Sequence, residues 1–338
     1  MSAVKKRVTA SVALLCSATA VVLTGCSSLS SAEERRSESG GRAATRQASP
    51  EAPRLFDLRS LISPKKKYFG AAVEGAPSSM APVAKYGQMV GKKPNLLEYY
   101  AAWGDGFNTQ GVRNAWAEGA LTVLSWEPAD TPIADIADGK SDAYVKEFAE
   151  AARKLNIPIV ISFADEMNGH WEKWGTKHVK PEDYVRAWKR VHDVFADAGA
   201  GNVIWAWSPN IVNPVRNVDI ADYYPGDGYV DWVGMVGYFT TFEPNTFDGV
   251  FGLTIKKIRT FTDKPLLILE TAAEPGERRL TSVRSLLEGV KGHDDIVGFV
   301  WFDYRKRSDW RLSVSPLALA EFKRLAADDT FGFDVRKP

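Results

Sequence analysis

Eight short apolar segments recur along this chain, and most of them are separated by amphipathic stretches of helical length. The segments are almost continuously hydrophobic and rich in β-branched and aromatic residues, which is typical of parallel strands buried on both faces. Alternation of strands and helices over such a length favours an α/β fold with a parallel sheet. The eight predicted strands are residues 68–74, 95–103, 120–127, 158–168, 202–210, 230–238, 265–271 and 296–303.

The segments between the strands have the residue spacing of amphipathic helices. Residues 141–155 and 181–198 show it most clearly, and Pro181 suits the first turn of a helix. Eight strands with their helices in about 280 residues fit a closed (β/α)8 TIM barrel, as a single catalytic domain, better than an open doubly wound sheet. The open sheet is also disfavoured because no glycine-rich phosphate loop follows the first strand. The remaining predicted helices are residues 249–261, 278–290 and 316–326.

Acidic and aromatic residues gather at the predicted carboxyl ends of the strands. In a (β/α)8 barrel these ends form the functional face. Carboxylates can act as acids, bases or nucleophiles on acetals, and aromatic faces can stack on sugar rings. A ring of both around one mouth predicts a carbohydrate site. The strand-end residues are Glu74, Trp103, Glu127, Asp165, Glu166, Trp207, Asn210, Tyr238, Glu270, Trp301 and Asp303.

Glu166 and Glu270 are the candidates for the chemistry. They end the predicted fourth and seventh strands, which face each other across a barrel mouth. A glycosidase needs two carboxyl groups flanking one bond, and a retaining enzyme holds them roughly 5–5.5 Å apart. We therefore expect Glu166 to be the catalytic acid/base and Glu270 the nucleophile, in a reaction that needs no metal and no cofactor.

Four segments resemble the motifs of glycoside hydrolase family 26, the β-mannanase-type family of retaining barrels, and the resemblance covers about residues 68–315. It implies a (β/α)8 barrel with the acid/base on strand four and the nucleophile on strand seven, which is also the placement expected from counting strands. The four segments are residues 165–175 (DEMNGHWEKWG), 205–210 (WAWSPN), 224–238 (YPGDGYVDWVGMVGY) and 309–311 (DWR).

The resemblance also implies roles for residues around the catalytic pair. Tyr238 matches a tyrosine that hydrogen-bonds and orients the nucleophile, and Trp301 matches a residue that stacks on the cleaved sugar. Trp171 and Trp174 are expected to shape neighbouring subsites. Of the two tryptophans that alternate along the fifth strand, one is expected in the core, and Trp207 is assigned to substrate binding.

Two departures from the family pattern lie close to the acid/base in the sequence. The family typically has histidine immediately before the acid/base, where this chain has Asp165, and commonly has arginine a few residues earlier, where it has Ser162. We expect Asp165 to contact substrate, although strand alternation would also allow it to face the helices. The mechanism is therefore expected to be retained, while the preference for mannan is placed in doubt.

The N-terminus has the pattern of a bacterial export signal. Basic residues 5–7 precede a mostly apolar stretch, residues 8–22, that is too short to span a bilayer comfortably. Residues 23–26 (LTGC) resemble the lipoprotein box, which implies that Cys26 is lipidated.

Three regions are predicted from this pattern. Residues 1–26 form the signal peptide, residues 27–54 a disordered polar tether, and residues 55–338 the (β/α)8 hydrolase domain. The tether is assigned because the segment has almost no large apolar residues to bury. We expect a lipoprotein at the cell membrane, exported to the surface or periplasm, with release from the cell as an alternative.

The net charge of +1 and the absence of a basic cluster disfavour a nucleic-acid partner. The expected partner is a β-linked polysaccharide or oligosaccharide, bound by a monomer. By resemblance the substrate is β-1,4-mannan, with mixed-linkage β-glucan, β-1,3-xylan or an envelope polysaccharide as alternatives. A second class of function is a catalytically silent barrel that binds glycans at the cell surface, but such a protein has no need of both glutamates.

Overall fold

A computed structural model describes residues 56–338 apart from 213, 214 and 216, so the predicted signal peptide, Cys26 and tether lie outside the described residues. Eight parallel strands pair in sequence order and close on themselves through β8 and β1, which confirms the predicted barrel. The strands are β1 Tyr68–Val73, β2 Leu96–Ala102, β3 Leu121–Glu127, β4 Ile159–Phe163, β5 Val203–Trp207, β6 Trp232–Val236, β7 Leu266–Thr271 and β8 Ile296–Asp303.

Helices cover the outside of the barrel. The connection from β5 to β6 contains, in its described part, a 3₁₀ helix at Ile220–Tyr223. None of the described helices is long and apolar enough to cross a bilayer. The helices are α1 Arg59–Ile62, α2 Ala81–Val90, α3 Thr109–Ala117, α4 Ile133–Ala137, α5 Asp142–Leu155, α6 Pro181–Asp197, α7 Phe247–Ile258, α8 Arg279–Gly292 and α9 Pro316–Ala326.

Strand alternation separates an apolar outer layer from a polar layer inside the barrel. Trp126 of β3 stacks on Phe148 of α5 with 4.2 Å between ring centroids, so its neighbour Ser125 points into the barrel. There the Ser125 hydroxyl donates to Glu98 Oε1 at 2.7 Å, and the Ser162 hydroxyl donates to Ser208 Oγ at 2.8 Å. Buried polar groups thus lie inside the barrel, and each of these pairs supplies a hydrogen bond there.

Helix α1 packs against the amino-terminal end of the barrel. The Tyr68 hydroxyl donates to the carbonyl of Leu61 at 2.9 Å, and the Trp232 indole donates to the carbonyl of Ile62 at 2.8 Å. The rings of Tyr68 and Trp232 also meet edge to face, with centroids 5.4 Å apart. These contacts fill the interior at that end, so the opposite, carboxyl-terminal end is the one available to a ligand.

Candidate active site

Glu270 lies at the carboxyl end of β7, where the strand contains a bulge. Met235 of β6 pairs with Ile268, but the next β6 residue, Val236, pairs with Glu270, so β7 has one extra residue here. A bulge bends its strand and re-aims the side chains that follow it. The carboxylate of Glu270 accepts hydrogen bonds from the hydroxyls of Tyr238 and Tyr100.

Both tyrosines remain neutral donors to this carboxylate. Burial, followed by the negative charge of Glu270, raises the pKa of Tyr100 and of Tyr238 well above the ordinary value. Hydrogen bonds donated to the charged form of an acid stabilise that form. The expected contact between Tyr238 and Glu270 is therefore present, and Tyr100 is a second donor that the sequence motifs did not reveal.

Glu166 lies in the loop that follows β4, which ends at Phe163, earlier than predicted. Ala164 and Glu166 have φ angles of 50° and 55°. Such left-handed conformations are uncommon for residues other than glycine and occur often at functional sites. The amide of Glu166 is held by a 2.8 Å hydrogen bond to the carbonyl of Ser208. The turn ends the alternation of the strand, so Asp165 and Glu166 can both face the mouth.

The carboxyl group of Glu166 is held by residues from two loops. Trp171 donates its indole N–H to Oε2 at 3.0 Å, and the side-chain amide of Asn210 donates to Oε1. Asn168 and Asn210 are joined by two hydrogen bonds of 2.9 Å, one in each direction between side chain and backbone. This pair links the loop after β4 to the end of β5. Glu166 is thereby positioned by both segments.

The surroundings of Glu166 favour its protonated form. Burial, and after it the negative charge of Glu270, raises the pKa of Glu166 from 4.5 to about 7, while the hydrogen bonds from Asn210 and Trp171 act in the opposite direction. A protonated carboxyl group and a carboxylate stabilised by two phenols thus share one mouth. When the environment keeps one carboxyl group protonated and the other ionised, the first can act as the acid and the second as the nucleophile.

Asp165 lies near the other carboxyl groups of this mouth. Burial, followed by the charges of Glu127, Glu166 and Glu270, raises its pKa well above the ordinary value. Its Oδ1 is buried and has no hydrogen-bond partner among the described residues. A neutral Asp165 carboxyl group can donate a hydrogen bond as well as accept one.

Glu98 is a further carboxyl group near the pair, and the sequence reasoning missed it. It lies in the middle of β2 and is 1% exposed. Burial first, and the charge of Glu270 second, raise its pKa well above the ordinary value. Its position inside a strand, rather than at the end of one, concealed it, because the barrel pattern assigns the residues at strand ends to the mouth.

The assignment of Trp301 to sugar stacking is wrong. Its side chain is fully buried, packs against Phe322 of α9 with centroids 5.4 Å apart, and lies 6.0 Å from the guanidinium of Arg279. It therefore belongs to the layer between barrel and helices. Its neighbour Phe302 points the other way and stacks on Tyr304 at 4.6 Å.

The assignment of Trp207 to substrate binding is also wrong. Trp207 is fully buried and packs against Tyr224 and Phe261, with centroids 5.1 and 6.1 Å away. Trp205, two residues earlier, packs against Trp188 in the same outer layer. Residues two apart in a strand share a face, so both tryptophans lie on the helix side.

The two tryptophans of the loop after β4 have different positions. Trp174 is 3% exposed and donates its indole N–H to the carbonyl of Asp165 at 2.6 Å, so it supports the loop from within and does not itself face a ligand. Trp171 is 44% exposed and touches Glu166. Of the two, only Trp171 has an exposed face beside the acid/base candidate.

A buried arginine supports the tyrosine that contacts Glu270. Arg279 of α8 is 1% exposed and donates to the carbonyls of Trp310 and Arg311 at 2.7 and 2.9 Å. Trp310 packs against Tyr238 with ring centroids 4.7 Å apart. The loop after β8 therefore backs Tyr238. Arg279 was not foreseen, because in the sequence it resembles any basic residue near a helix start.

Throughout the described ranges there is no group of three or more histidine, cysteine, aspartate or glutamate residues placed to hold a metal ion.

Comparisons with known proteins agree with this geometry. The sequence model of Glycosyl hydrolase family 26 matches residues 133–263. Endoglucanase H of Acetivibrio thermocellus is 28% identical over 271 residues, which cover 75% of this chain and 30% of that protein. Mannan endo-1,4-beta-mannosidase of Bacillus subtilis (strain 168) is 28% identical over 123 residues, covering 33% of each.

A solved structure shares the fold. The catalytic domain of Bacillus sp. JAMB-750 GH26 endo-beta-1,4-mannanase has a TM-score of 0.63 and 17% identity, and the match covers 81% of this chain and 89% of that chain. The chain spans about a third of the length of the two curated relatives above. The predicted family resemblance is confirmed.

The neutral form of Glu98 has a consequence for stability that can be measured. An acid whose pKa is raised on folding contributes stability below its unfolded pKa, and that contribution is lost as pH rises. We expect the free energy of unfolding of Glu98→Gln, relative to wild type, to increase from about pH 5 to pH 8 by up to about 1.4 kcal/mol per pH unit. Urea unfolding at several pH values measures this difference.

Glu147→Gln, at an exposed position of α5, is the matched control and should show no such trend. A difference between Glu98→Gln and wild type that is independent of pH would contradict the assignment of a neutral Glu98.

Proposed function

We propose that this chain, which belongs to glycoside hydrolase family 26, is a retaining endo-acting β-glycan hydrolase that uses double displacement. One observation carries the proposal: Glu166, with a pKa raised to about 7, shares the barrel mouth with Glu270, which accepts hydrogen bonds from two neutral phenols. These are the states that a general acid and a nucleophile need before the reaction starts.

In the first step a carboxylate oxygen of Glu270 attacks the anomeric carbon while the bond to the leaving oxygen breaks. Glu166 gives its proton to that oxygen, and a glycosyl ester of Glu270 is formed. In the second step Glu166, now a carboxylate, removes a proton from water as the water attacks the anomeric carbon. The ester bond breaks, and Glu270 is regenerated as a carboxylate.

The charge on Glu270 links the two steps. That charge is the second-largest cause of the raised pKa of Glu166. Ester formation removes the charge, so the pKa of Glu166 falls in the intermediate, and Glu166 can accept a proton from water. Tyr100 and Tyr238 orient Glu270 for attack, and Asn210 and Trp171 orient Glu166.

The proposed substrate is a neutral β-linked polysaccharide or oligosaccharide. The relative that matches most of this chain is named an endoglucanase, and the one that matches a third of it is named a mannan endo-1,4-beta-mannosidase. The departure at Asp165 places the preference for mannan in doubt, and the name of the endoglucanase relative makes β-glucan the first alternative to compare. Mannan, β-1,3-xylan and envelope polysaccharides are the other substrates to compare.

A glycan-binding barrel without activity is the alternative class. The departures at Asp165 and Ser162 favour it, but binding alone requires neither the separated protonation states of the two glutamates nor the two phenols on Glu270. Hydrolysis of any β-glycan by the wild-type protein would eliminate this alternative.

We also propose that the protein is exported and attached to the membrane through lipidated Cys26, with a polar tether before a domain that starts near residue 55. The support is the basic, apolar and LTGC sequence of residues 5–26. Recovery of the full-length protein entirely in the soluble fraction of its bacterial host would contradict this attachment.

Replacement of the two glutamates tests the mechanism. We expect Glu270→Ala and Glu166→Ala each to lower turnover by on the order of 100-fold or more, because each removes a group that takes part in both steps. Azide should rescue the two variants differently. It replaces the nucleophile in Glu270→Ala and gives an α-glycosyl azide, whereas in Glu166→Ala it attacks the ester and gives a β-glycosyl azide.

Nuclear magnetic resonance of the azide products, with an activated aryl β-glycoside as substrate, identifies the anomers. Glu147→Ala, on the exposed face of α5, is the control and should keep wild-type turnover. A wild-type product released first as the α-anomer would contradict a retaining mechanism.

Asp165 should influence both sugar preference and pH dependence. A protonated histidine at this position would lower the pKa of Glu166 through its positive charge. We therefore expect Asp165→His to change the ratio of activities on mixed-linkage glucan, mannan and β-1,3-xylan. It should also move the alkaline fall of kcat/KM to lower pH. Asp165→Asn, a neutral isostere, should stay closer to wild type in both respects.

The same three glycans, assayed across pH for wild type and both variants, provide the comparison. If Asp165→His leaves the substrate ratios and the pH profile unchanged, Asp165 has no part in the site.

A further inference from the structure

Phe242 is a large apolar side chain that is 94% exposed. It lies in the loop between β6 and α7. Single exposed apolar residues are common on protein surfaces and do not by themselves indicate a site. Leu253 and Leu317, which are 59% and 73% exposed on helices α7 and α9, are of this ordinary kind. Phe242 differs from them in the way its backbone is held.

Side chains fix the backbone on both sides of Phe242. The amide of Thr241 donates to Glu274 Oε2 at 2.7 Å. The amides of Phe242 and Glu243 donate to the hydroxyl of Thr240 at 3.2 and 3.3 Å. Three successive amides therefore have side-chain acceptors, which limits the freedom of an exposed loop.

The carbonyl groups of this loop are held as well. Arg278 donates from Nη1 to the carbonyl of Thr241 at 3.2 Å and from Nη2 to the carbonyl of Glu243 at 2.6 Å. One guanidinium thus binds the residues before and after Phe242. The loop presents an apolar ring to solvent from a backbone fixed by hydrogen bonds, and this arrangement lowers the entropy lost when a ligand covers the ring.

The loop belongs to the same end of the barrel as the catalytic pair. It follows Tyr238, which contacts Glu270, and Phe239 pairs with Ala273 of the neighbouring segment. Glu274, which binds the Thr241 amide, is four residues after Glu270, a separation of at most about 14 Å along an extended chain. Phe242 is therefore at the rim of the mouth, beyond the groups that act on the scissile bond.

We propose that Phe242 is an aromatic platform for a sugar unit of the glycan that lies outside the catalytic centre, a proposal that rests on the proposed function. The apolar C–H face of a pyranose packs on an aromatic ring without needing a charge. Glu243 is adjacent to Phe242, and Glu274 and Arg278 bind the loop backbone, so charges of both signs lie beside the ring. The ring itself offers only an apolar face, which suits a sugar unit of a chain that extends several units from the cleaved bond.

Substrates of different length separate this role from catalysis. On a soluble β-glucan polymer we expect Phe242→Ala to lower kcat/KM by about 3- to 10-fold, the effect of losing one aromatic contact. On a short aryl β-glycoside, which cannot reach the rim, kcat/KM should match wild type. Phe242→Trp should keep or raise activity on the polymer, and Leu317→Ala, an exposed change on α9, should leave both substrates unaffected.

Equal loss on the polymer and the aryl glycoside would overturn the proposal, because it would show that the loop affects catalysis itself. No loss on the polymer would overturn it too, as would a change in sedimentation behaviour showing that Phe242 serves self-association.

A binding measurement keeps the platform testable if wild type hydrolyses no glycan and the proposed function fails. Affinity electrophoresis of Glu270→Gln in gels containing the same polymer gives the reference retardation. Weaker retardation of the double variant Glu270→Gln/Phe242→Ala supports the platform, and equal retardation refutes it.

Discussion

The central constraint in this molecule is the repulsion between carboxyl groups in one partly buried mouth. Glu98, Asp165, Glu166 and Glu270 influence one another electrostatically, and burial penalises the ionised form of the first three. Four negative charges in such a space would be costly, so most of these groups are protonated instead. The hydroxyls of Tyr100 and Tyr238 donate to Glu270, and such hydrogen bonds stabilise the ionised form of the acceptor.

Irregularities at the ends of two strands position these carboxyl groups at the mouth. A bulge in β7 re-aims Glu270, and left-handed residues after β4 place Asp165 and Glu166 together. Neither irregularity would persist without support from its surroundings. The side chain of Asn168, which hydrogen-bonds the backbone N–H and carbonyl of Asn210, supports the loop after β4. The strained segments are thus the ones that carry the chemistry, as is expected where function competes with regular structure.

The fold could be predicted because parallel strands buried on both faces have an almost continuous apolar sequence, and β8 was predicted at the bounds observed. The same property explains the errors at Trp301 and Trp207. When both faces of a strand are apolar, the sequence does not reveal which aromatic residues face the mouth. Glu98 and Arg279 escaped notice because burial, which defines their roles, depends on tertiary packing.

The most direct test of the charge relation between the two glutamates is a carbon-13 titration of the Glu166 carboxyl group, followed by nuclear magnetic resonance in wild type and in Glu270→Gln. The pKa of Glu166 should be near 7 in wild type and lower in the variant, because removing the charge of Glu270 removes one of the causes that raise it. An ordinary pKa near 4.5 in wild type, or the same raised value in both proteins, would contradict the proposed division of roles.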